Sequence, residues 1–190
     1  PARDRSALPY RTEWRRRFAA APPRTAGPPT VLAVARMYPR KRLGDLLQAT
    51  ALLRARIPEV RVRIVGEGPE SARLRGLARR LGLTGTVTFL GEIARQALAV
   101  EYVGADCFCL PTVQEGFGIV FLEAMAAALP VVATTAAAVP EVVPDGLAGS
   151  LVPPGDVPAL AETLAALLAN PALRRRYGSY GREHVARYSW

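Results

Sequence analysis

From Thr30 onward, short apolar runs rich in β-branched residues alternate with longer segments whose apolar positions recur every three or four residues. The short runs are typical of buried strands and the longer segments of amphipathic helices. We predict six strands, at 30–35, 60–66, 86–91, 107–112, 130–135 and 149–154. We predict helices at 43–57, 70–82, 94–105, 119–129, 157–170 and 173–188. This alternation predicts a doubly wound α/β domain, a Rossmann-like parallel sheet of about six strands with helices on both faces.

The first 29 residues follow no such pattern. Proline, arginine and alanine dominate them, and only 10–18 could form a short helix. We interpret 1–29 as a linker that enters the domain and 30–190 as the domain itself. Because the sequence begins with Pro1 rather than methionine, we expect it to be part of a longer protein.

Half of the 190 residues are hydrophobic, which is enough for one full-sized core. The formal net charge of +9 comes from 24 arginines and one lysine, and the arginines are spread over the predicted helices. This spread favours solvated surfaces, and aromatic residues do not interleave the arginines as they do in nucleic-acid platforms. A basic nucleic-acid-binding domain is therefore an alternative that rests on charge alone.

The two cysteines, Cys107 and Cys109, lie on one face of a predicted strand, where they cannot bridge each other. We expect reduced core thiols and a cytoplasmic protein. A zinc site would need further ligands nearby, and the only histidine, His184, is far away in the sequence. We therefore predict no metal site.

One apolar stretch, 119–139, is long enough to imitate a membrane span and contains Glu123 as its only charge. Pro130 divides it into a helical half and a half rich in β-branched residues. We predict a buried helix followed by a buried strand rather than a transmembrane segment.

Candidate chemistry lies in the loops that follow the strands, because open parallel sheets bind ligands beyond the carboxyl ends of their strands. After the first strand, Arg36 and Lys41 flank Pro39. Two cations there suit a bound diphosphate, and the alternative is that they are ordinary surface charges. After the second strand, Gly66 and Gly68 permit a tight turn or a close approach to a ligand. The dinucleotide fingerprint fails because Ser71 occupies its third glycine position, so a nicotinamide dehydrogenase is not expected.

After the fourth strand comes "QEGFGIVFLEAMA", from Gln114 to Ala126. Its glycines precede a helix whose first free N–H groups, near Ile119 and Val120, suit an anion. Glu115 beside them is suited to accept hydrogen bonds from sugar hydroxyls. Glu123, about one turn along the helix, could hold the hydroxyls of a ribose. The alternative for Glu123 is a buried acid paired with an arginine.

The segment "EGFGIVFLEAMAAALPVVAT" resembles the E-x7-E segment of the family-4 retaining glycosyltransferases, which have the two-domain GT-B fold. The resemblance extends from Val31 to Trp190. Six further stretches resemble family landmarks in family order: "VARMYPRKRLGDLLQA", "RIVGEGPE", "VTFLGEI", "YVGADCFCLPT", "VPEVVPDGLAGSLVPPGD" and "YSW". The sheet would then be one half of a GT-B fold, the C-terminal domain that binds a sugar nucleotide.

The resemblance also implies roles for single residues. Arg36 and Lys41 would contact the diphosphate as it leaves, Glu115 would hold the transferred sugar, and Glu123 would hold the ribose. The remaining donor-binding positions that it implies are Gly66, Gly68, Phe89, Leu90, Gly91, Gly116, Phe117, Gly118, Ile119 and Val120. Arg36, Lys41 and Glu115 would thus form the catalytic group.

The implied reaction transfers a hexose, with retention, from a nucleotide-diphosphate sugar such as a UDP- or GDP-hexose. The implied reaction needs no metal or other cofactor, and the absence of a D-x-D motif agrees with this. The implied partner is an N-terminal acceptor-binding domain that is absent from this chain, so we expect the isolated chain to be inactive. The resemblance places the protein in the cytoplasm or at the inner face of the membrane. A GT-B-fold epimerase or phosphorylase is the alternative within the fold.

The sequence departs from the family at four places where glycine is usual. These positions are Ala35, Arg42, Ala128 and the pair 137–138. None of the changes removes a charged donor contact, so donor binding is still expected, with altered loop shapes near Ala128 and Ala137.

Overall fold

The computed structural model describes residues 9–22, 27–116 and 118–186. Six strands form a single parallel sheet in the order β3-β2-β1-β4-β5-β6. The strands are β1 (Thr30–Val34), β2 (Arg61–Val65), β3 (Val87–Gly91), β4 (Cys107–Leu110), β5 (Val131–Thr134) and β6 (Gly149–Val152). All six predicted strands are confirmed, and the parallel pairing confirms the doubly wound fold.

The helices surround this sheet on both faces. They are α1 (Pro9–Ala20), α2 (Leu43–Arg54), α3 (Ser71–Arg80), α4 (Arg95–Gly104), α5 (Ile119–Ala126), α6 (Val139–Val142), α7 (Val157–Ala169) and α8 (Pro171–Val185). The six predicted helices are confirmed, with ends that differ by up to three residues. Only α6 was not predicted, because a four-residue helix is too short to show a helical period.

The helices pack against one another in two sets, which α7 and α8 join. Helix α2 packs against α3 and α7, whereas α1 packs against α4 and α5, and α5 against α8. The central strands β4 and β5 are buried along their whole length, because helices cover both faces of the sheet. Within β4, the pKa of the Cys109 thiol lies well above its ordinary value, mainly because the thiol is buried and to a lesser extent because Cys107 is nearby. The thiol therefore stays protonated.

The chain reverses its direction of winding between β1 and β4. Strand β1 pairs with β2 on one side and with β4 on the other, so the loops that follow β1 and β4 leave the same edge side by side. This is the topological switch point of an open α/β sheet, where such sheets form their ligand crevice.

Helix α1 belongs to the packed structure, although the sequence assigned it to a segment that leads into the domain. The predicted short helix at 10–18 runs from Pro9 to Ala20. Trp14 is only 3% exposed, and its ring lies 5.1 Å from that of Phe18 and 5.9 Å from that of Tyr102 in α4. The helix is thus anchored by an aromatic cluster.

The apolar stretch 119–139 contains helix α5 and strand β5, as predicted. None of the helices in the described ranges combines the length and the apolar character that a membrane crossing requires.

Candidate functional site

The loops after β1 and β4 are tied together at the switch point. The Val113 N–H donates to the Arg40 carbonyl oxygen at 2.9 Å, and the Thr112 hydroxyl lies 3.1 Å from the same oxygen. The Thr134 hydroxyl at the end of β5 donates in turn to the Thr112 carbonyl oxygen. These bonds fix the two loops that carry the predicted charged residues.

Lys41 and Glu115 form an ion pair between these two loops. A 3₁₀ turn at Pro39–Lys41 presents the lysine, and its Nζ lies 2.5 Å from Oε2 of Glu115. Their side chains are 12% and 15% exposed, so the pair is largely buried, yet reachable. Two residues separated by 74 positions therefore form one ion pair at the switch point.

Arg36 is exposed at the start of the loop after β1. Its guanidinium lies 5.7 Å from the ring centroid of Tyr38, and the guanidinium of Arg40 lies 4.7 Å from the same ring. Cation–π contacts of this kind hold flexible arginine side chains near one surface. Tyr38 thus gathers two cations at the carboxyl end of β1, and sequence reasoning had selected only one of them.

Gly66 and Gly68 are required by backbone packing. A Cβ on Gly66, where φ is +114°, would lie 2.1 Å from the Ala35 carbonyl oxygen, and one on Gly68 would lie 2.8 Å from Met37 N and O. The loop after β2 therefore presses directly against the loop after β1. The sequence predicted a tight turn or a close approach to a ligand, and the structure shows a close approach to the neighbouring loop.

The end of β3 is hydrogen-bonded to the loop after β2. The Gly66 N–H donates to the Gly91 carbonyl oxygen at 2.8 Å, while Phe89 and Leu90 are partly buried. The Arg75 guanidinium stacks 4.9 Å from the Phe89 ring and lies 2.6 Å from Oε1 of Glu67. The hydrogen bond from Ser71 and the charge of Arg75 lower the pKa of the Glu67 carboxyl.

Helix α5 begins after the loop that follows β4. Gly118 precedes the helix with φ +68°, and a Cβ there would lie 2.7 Å from the ring of Phe121. Ile119 is 46% exposed, Val120 is partly exposed, and a Cβ on Gly116 would meet nothing within 4 Å. The predicted loop is therefore open at Gly116, and Phe117 lies outside the described residues.

Glu123 occupies a different setting from Glu115. Its residue is only 4% exposed, and its Oε2 accepts a hydrogen bond of 2.9 Å from the hydroxyl of Tyr102. The structure joins Lys41 to Glu115 directly and places Glu123 in the interior beside α4. Sequence reasoning missed Tyr102, although an acid inside an apolar run signals that a buried donor must accompany it.

Three of the glycine departures have a common backbone conformation. Arg42, Ala128 and Ala137 have φ values of 50°, 57° and 51°, the left-handed region that favours glycine. The side chain of Arg42 also forms an ion pair with Asp45, at 2.6 Å. The structure thus explains why glycine suits these positions.

Fold and site together define an open α/β domain with a charged pair, Lys41 and Glu115, at its switch point. The family model described as "Glycosyl transferases group 1" matches residues 15–184, and the chain belongs to this family. Its sheet is one half of the GT-B fold.

Two curated relatives and one solved structure illustrate the similarity. The phosphatidyl-myo-inositol mannosyltransferase of Mycobacterium leprae is 43% identical over 174 residues, which cover 88% of this chain and 46% of the relative. The GDP-mannose-dependent alpha-(1-6)-phosphatidylinositol monomannoside mannosyltransferase of Mycolicibacterium smegmatis is 37% identical over 169 residues, which cover 85% and 44%. The chain therefore spans about half the length of the curated relatives it matches.

The solved structure is the C-terminal domain of the glycosyl transferase group 1 family protein LpcC from Francisella tularensis. It matches with a TM-score of 0.77 and 26% identity, over 98% of this chain and 93% of that domain. The described fold is therefore that of a C-terminal domain in this family.

Proposed function

We propose that this chain is the donor-binding half of a retaining glycosyltransferase, and that the full protein transfers a hexose from a nucleotide-diphosphate sugar without a metal ion. The observation that carries the proposal is the Lys41–Glu115 pair at the switch point, where a cation and an acid from separate loops meet at 2.5 Å. The cation suits a diphosphate, and the acid can accept hydrogen bonds from the hydroxyls of a sugar.

The leaving group of this reaction accumulates negative charge that fixed positive groups must stabilise. Lys41 and Arg36 stand at the carboxyl end of β1, and the first N–H groups of α5 add the partial positive charge of a helix N-terminus. Together they would hold the diphosphate before and during its departure. Metal independence belongs to this proposal, and undiminished transfer in the presence of a chelator would support it.

The other parts of the donor follow from this placement. Glu115 would accept hydrogen bonds from the transferred sugar, and Glu123 from the ribose. The block formed by Gly66, Gly68 and the end of β3 would face the base. Gly116, Gly118, Ile119 and Val120 would surround the phosphates and the sugar.

The relatives suggest which donor and acceptor to test first. One is named as GDP-mannose-dependent, and both names specify a phosphatidylinositol-type substrate. We therefore propose GDP-mannose as the donor and a lipid-linked molecule as the acceptor. The full protein would act at the inner face of the membrane. The acceptor site would lie in a domain outside this chain.

Calorimetric titration of the chain with GDP-mannose, UDP-glucose and ADP-glucose tests the proposal. We expect GDP-mannose to bind, and Lys41→Ala to weaken binding on the order of tenfold, about 1.4 kcal/mol. Arg79→Ala, which removes an exposed arginine from α3, should leave binding unchanged. With an added lipid acceptor, the chain alone should show negligible transfer. Absence of binding for all three donors would contradict the proposal.

A further inference from the structure

We infer that Tyr102 is a positioning residue that holds the Glu123 carboxylate for the hydroxyls of a bound ribonucleotide. This inference rests on the proposed function. The bond from the Tyr102 hydroxyl to Oε2 of Glu123 measures 2.9 Å and is buried.

The tyrosine ring cannot move freely. Tyr102 is 0% exposed, and its ring lies 5.9 Å from those of Trp14 and Phe18 and 6.0 Å from that of Phe108. Phe108 contacts Phe121, two residues before Glu123 on α5, with ring centroids 5.8 Å apart. The cluster therefore fixes the hydroxyl relative to the same helix turn that carries the acid.

The acid needs such a partner. An ionised carboxylate buried among aromatic rings costs free energy unless hydrogen bonds compensate for the lost water. At 4% exposure Glu123 has little room to turn toward a ligand after binding, so its orientation must be set beforehand. A carboxylate can accept about four hydrogen bonds, so a bond from tyrosine does not exhaust it.

The position of Glu123 fits a ribose ligand. The residue follows the first residue of α5 by four positions, about 6 Å along the helix axis. If the α5 N-terminus binds the diphosphate, an acid one turn away reaches the adjoining sugar of the nucleoside. Tyr102 would then act through Glu123 and would not itself touch the donor.

Tyr102→Phe separates this role from packing, because it removes the hydroxyl and keeps the ring. The dissociation constants of GDP and UDP, and of their 2′,3′-dideoxy analogues, would be measured by calorimetry on the whole chain. We expect the variant to bind the better ribonucleotide about five- to tenfold more weakly, since a hydrogen bond to a charged group is lost. The dideoxy analogue, which offers no hydroxyls to Glu123, should bind the variant and the wild type equally.

Control variants show which hypothesis each outcome contradicts. Tyr177→Phe, a change at another buried tyrosine on α8, should leave all constants unchanged. Equal weakening of the ribo and dideoxy nucleotides in Tyr102→Phe, or no weakening, would overturn the inference. If Glu123→Gln does not change the ratio between the dissociation constants of the ribonucleotide and its dideoxy analogue, the ribose role of Glu123 is refuted instead. Absence of nucleotide binding by the wild type would refute the proposed function.

A second variant covers the case in which Tyr102→Phe unfolds. The double variant Tyr102→Phe/Glu123→Gln removes the buried carboxylate together with the hydroxyl that donates to it. Its ribo-to-dideoxy ratio should equal that of Glu123→Gln alone, because Tyr102 acts only through the acid. A further fall in the double variant would contradict a purely positioning role.

Discussion

At the scale of single residues, the Lys41–Glu115 pair means that the ammonium is already neutralised before a ligand arrives. Under the proposed function, a diphosphate would compete with the carboxylate for Lys41 and would release Glu115 when it binds. The acid would then become available to a sugar in the same step. Such an exchange would couple recognition of the phosphates to recognition of the sugar.

Glu115→Gln tests the exchange. Because the amide no longer neutralises Lys41, we expect GDP without a sugar to bind about fivefold more tightly, an effect of ~1 kcal/mol. Calorimetry at two salt concentrations measures this gain and should show a steeper salt dependence than in the wild type. Glu162→Gln, which removes the acid from an exposed pair with Arg56, is the matched control. Unchanged GDP affinity in Glu115→Gln would show that the pair does not oppose binding.

Ala128→Gly is predicted to stabilise the domain. Ala128 has φ 57°, where a Cβ is unfavourable, and glycine relieves this at some cost in unfolded-state entropy. We expect the free energy of unfolding to rise by about 1 kcal/mol, measured by denaturant titration. Ala126→Gly, two residues earlier within α5, should lower it by about 1 kcal/mol. A loss of stability in Ala128→Gly would show that the left-handed turn is not strained.

At the scale of elements, α1 is joined to the site region through aromatic packing. Trp14 contacts Tyr102, which contacts both Phe108 of β4 and Glu123 of α5. The helix that the sequence placed in a leading segment thus supports the strand and the helix on either side of the β4 loop.

Trp14→Ala should therefore act on the whole domain. Removing a side chain that is 3% exposed leaves a cavity, and we expect the free energy of unfolding to fall by about 3–5 kcal/mol. Thermal and denaturant unfolding would measure the loss, with Arg16→Ala on the exposed face of α1 as the control. If Trp14→Ala unfolds like the wild type, α1 does not contribute to the stability of the domain.

At the scale of the whole molecule, the strands were predictable because β4 and β5 are uninterrupted apolar runs between turn residues. Their order was not predictable from the pattern, since hydrophobic periodicity carries no information about which strands pair. The order 3-2-1-4-5-6 is what brings the loop with Lys41 next to the loop with Glu115.

The site was predictable only in part, for similar reasons. Charged residues that follow strands can be selected from sequence, and Lys41 and Glu115 do meet. Tyr102, which donates to Glu123, lies 21 positions earlier on another helix, and the packing of α4 against its neighbours reveals it. The need for glycine at Gly66 likewise depends on the carbonyl of Ala35, which no local pattern shows.

The neutralised pair has a further consequence for how a charged ligand arrives. With the ammonium of Lys41 compensated, the long-range pull on an anion comes from the surplus of nine positive charges spread over the surface. Diffusional encounter with a charged ligand would therefore depend on the field of the entire domain and would slow as ionic strength rises. Residence time, by contrast, would be decided at the switch point, after a ligand has displaced the carboxylate of Glu115.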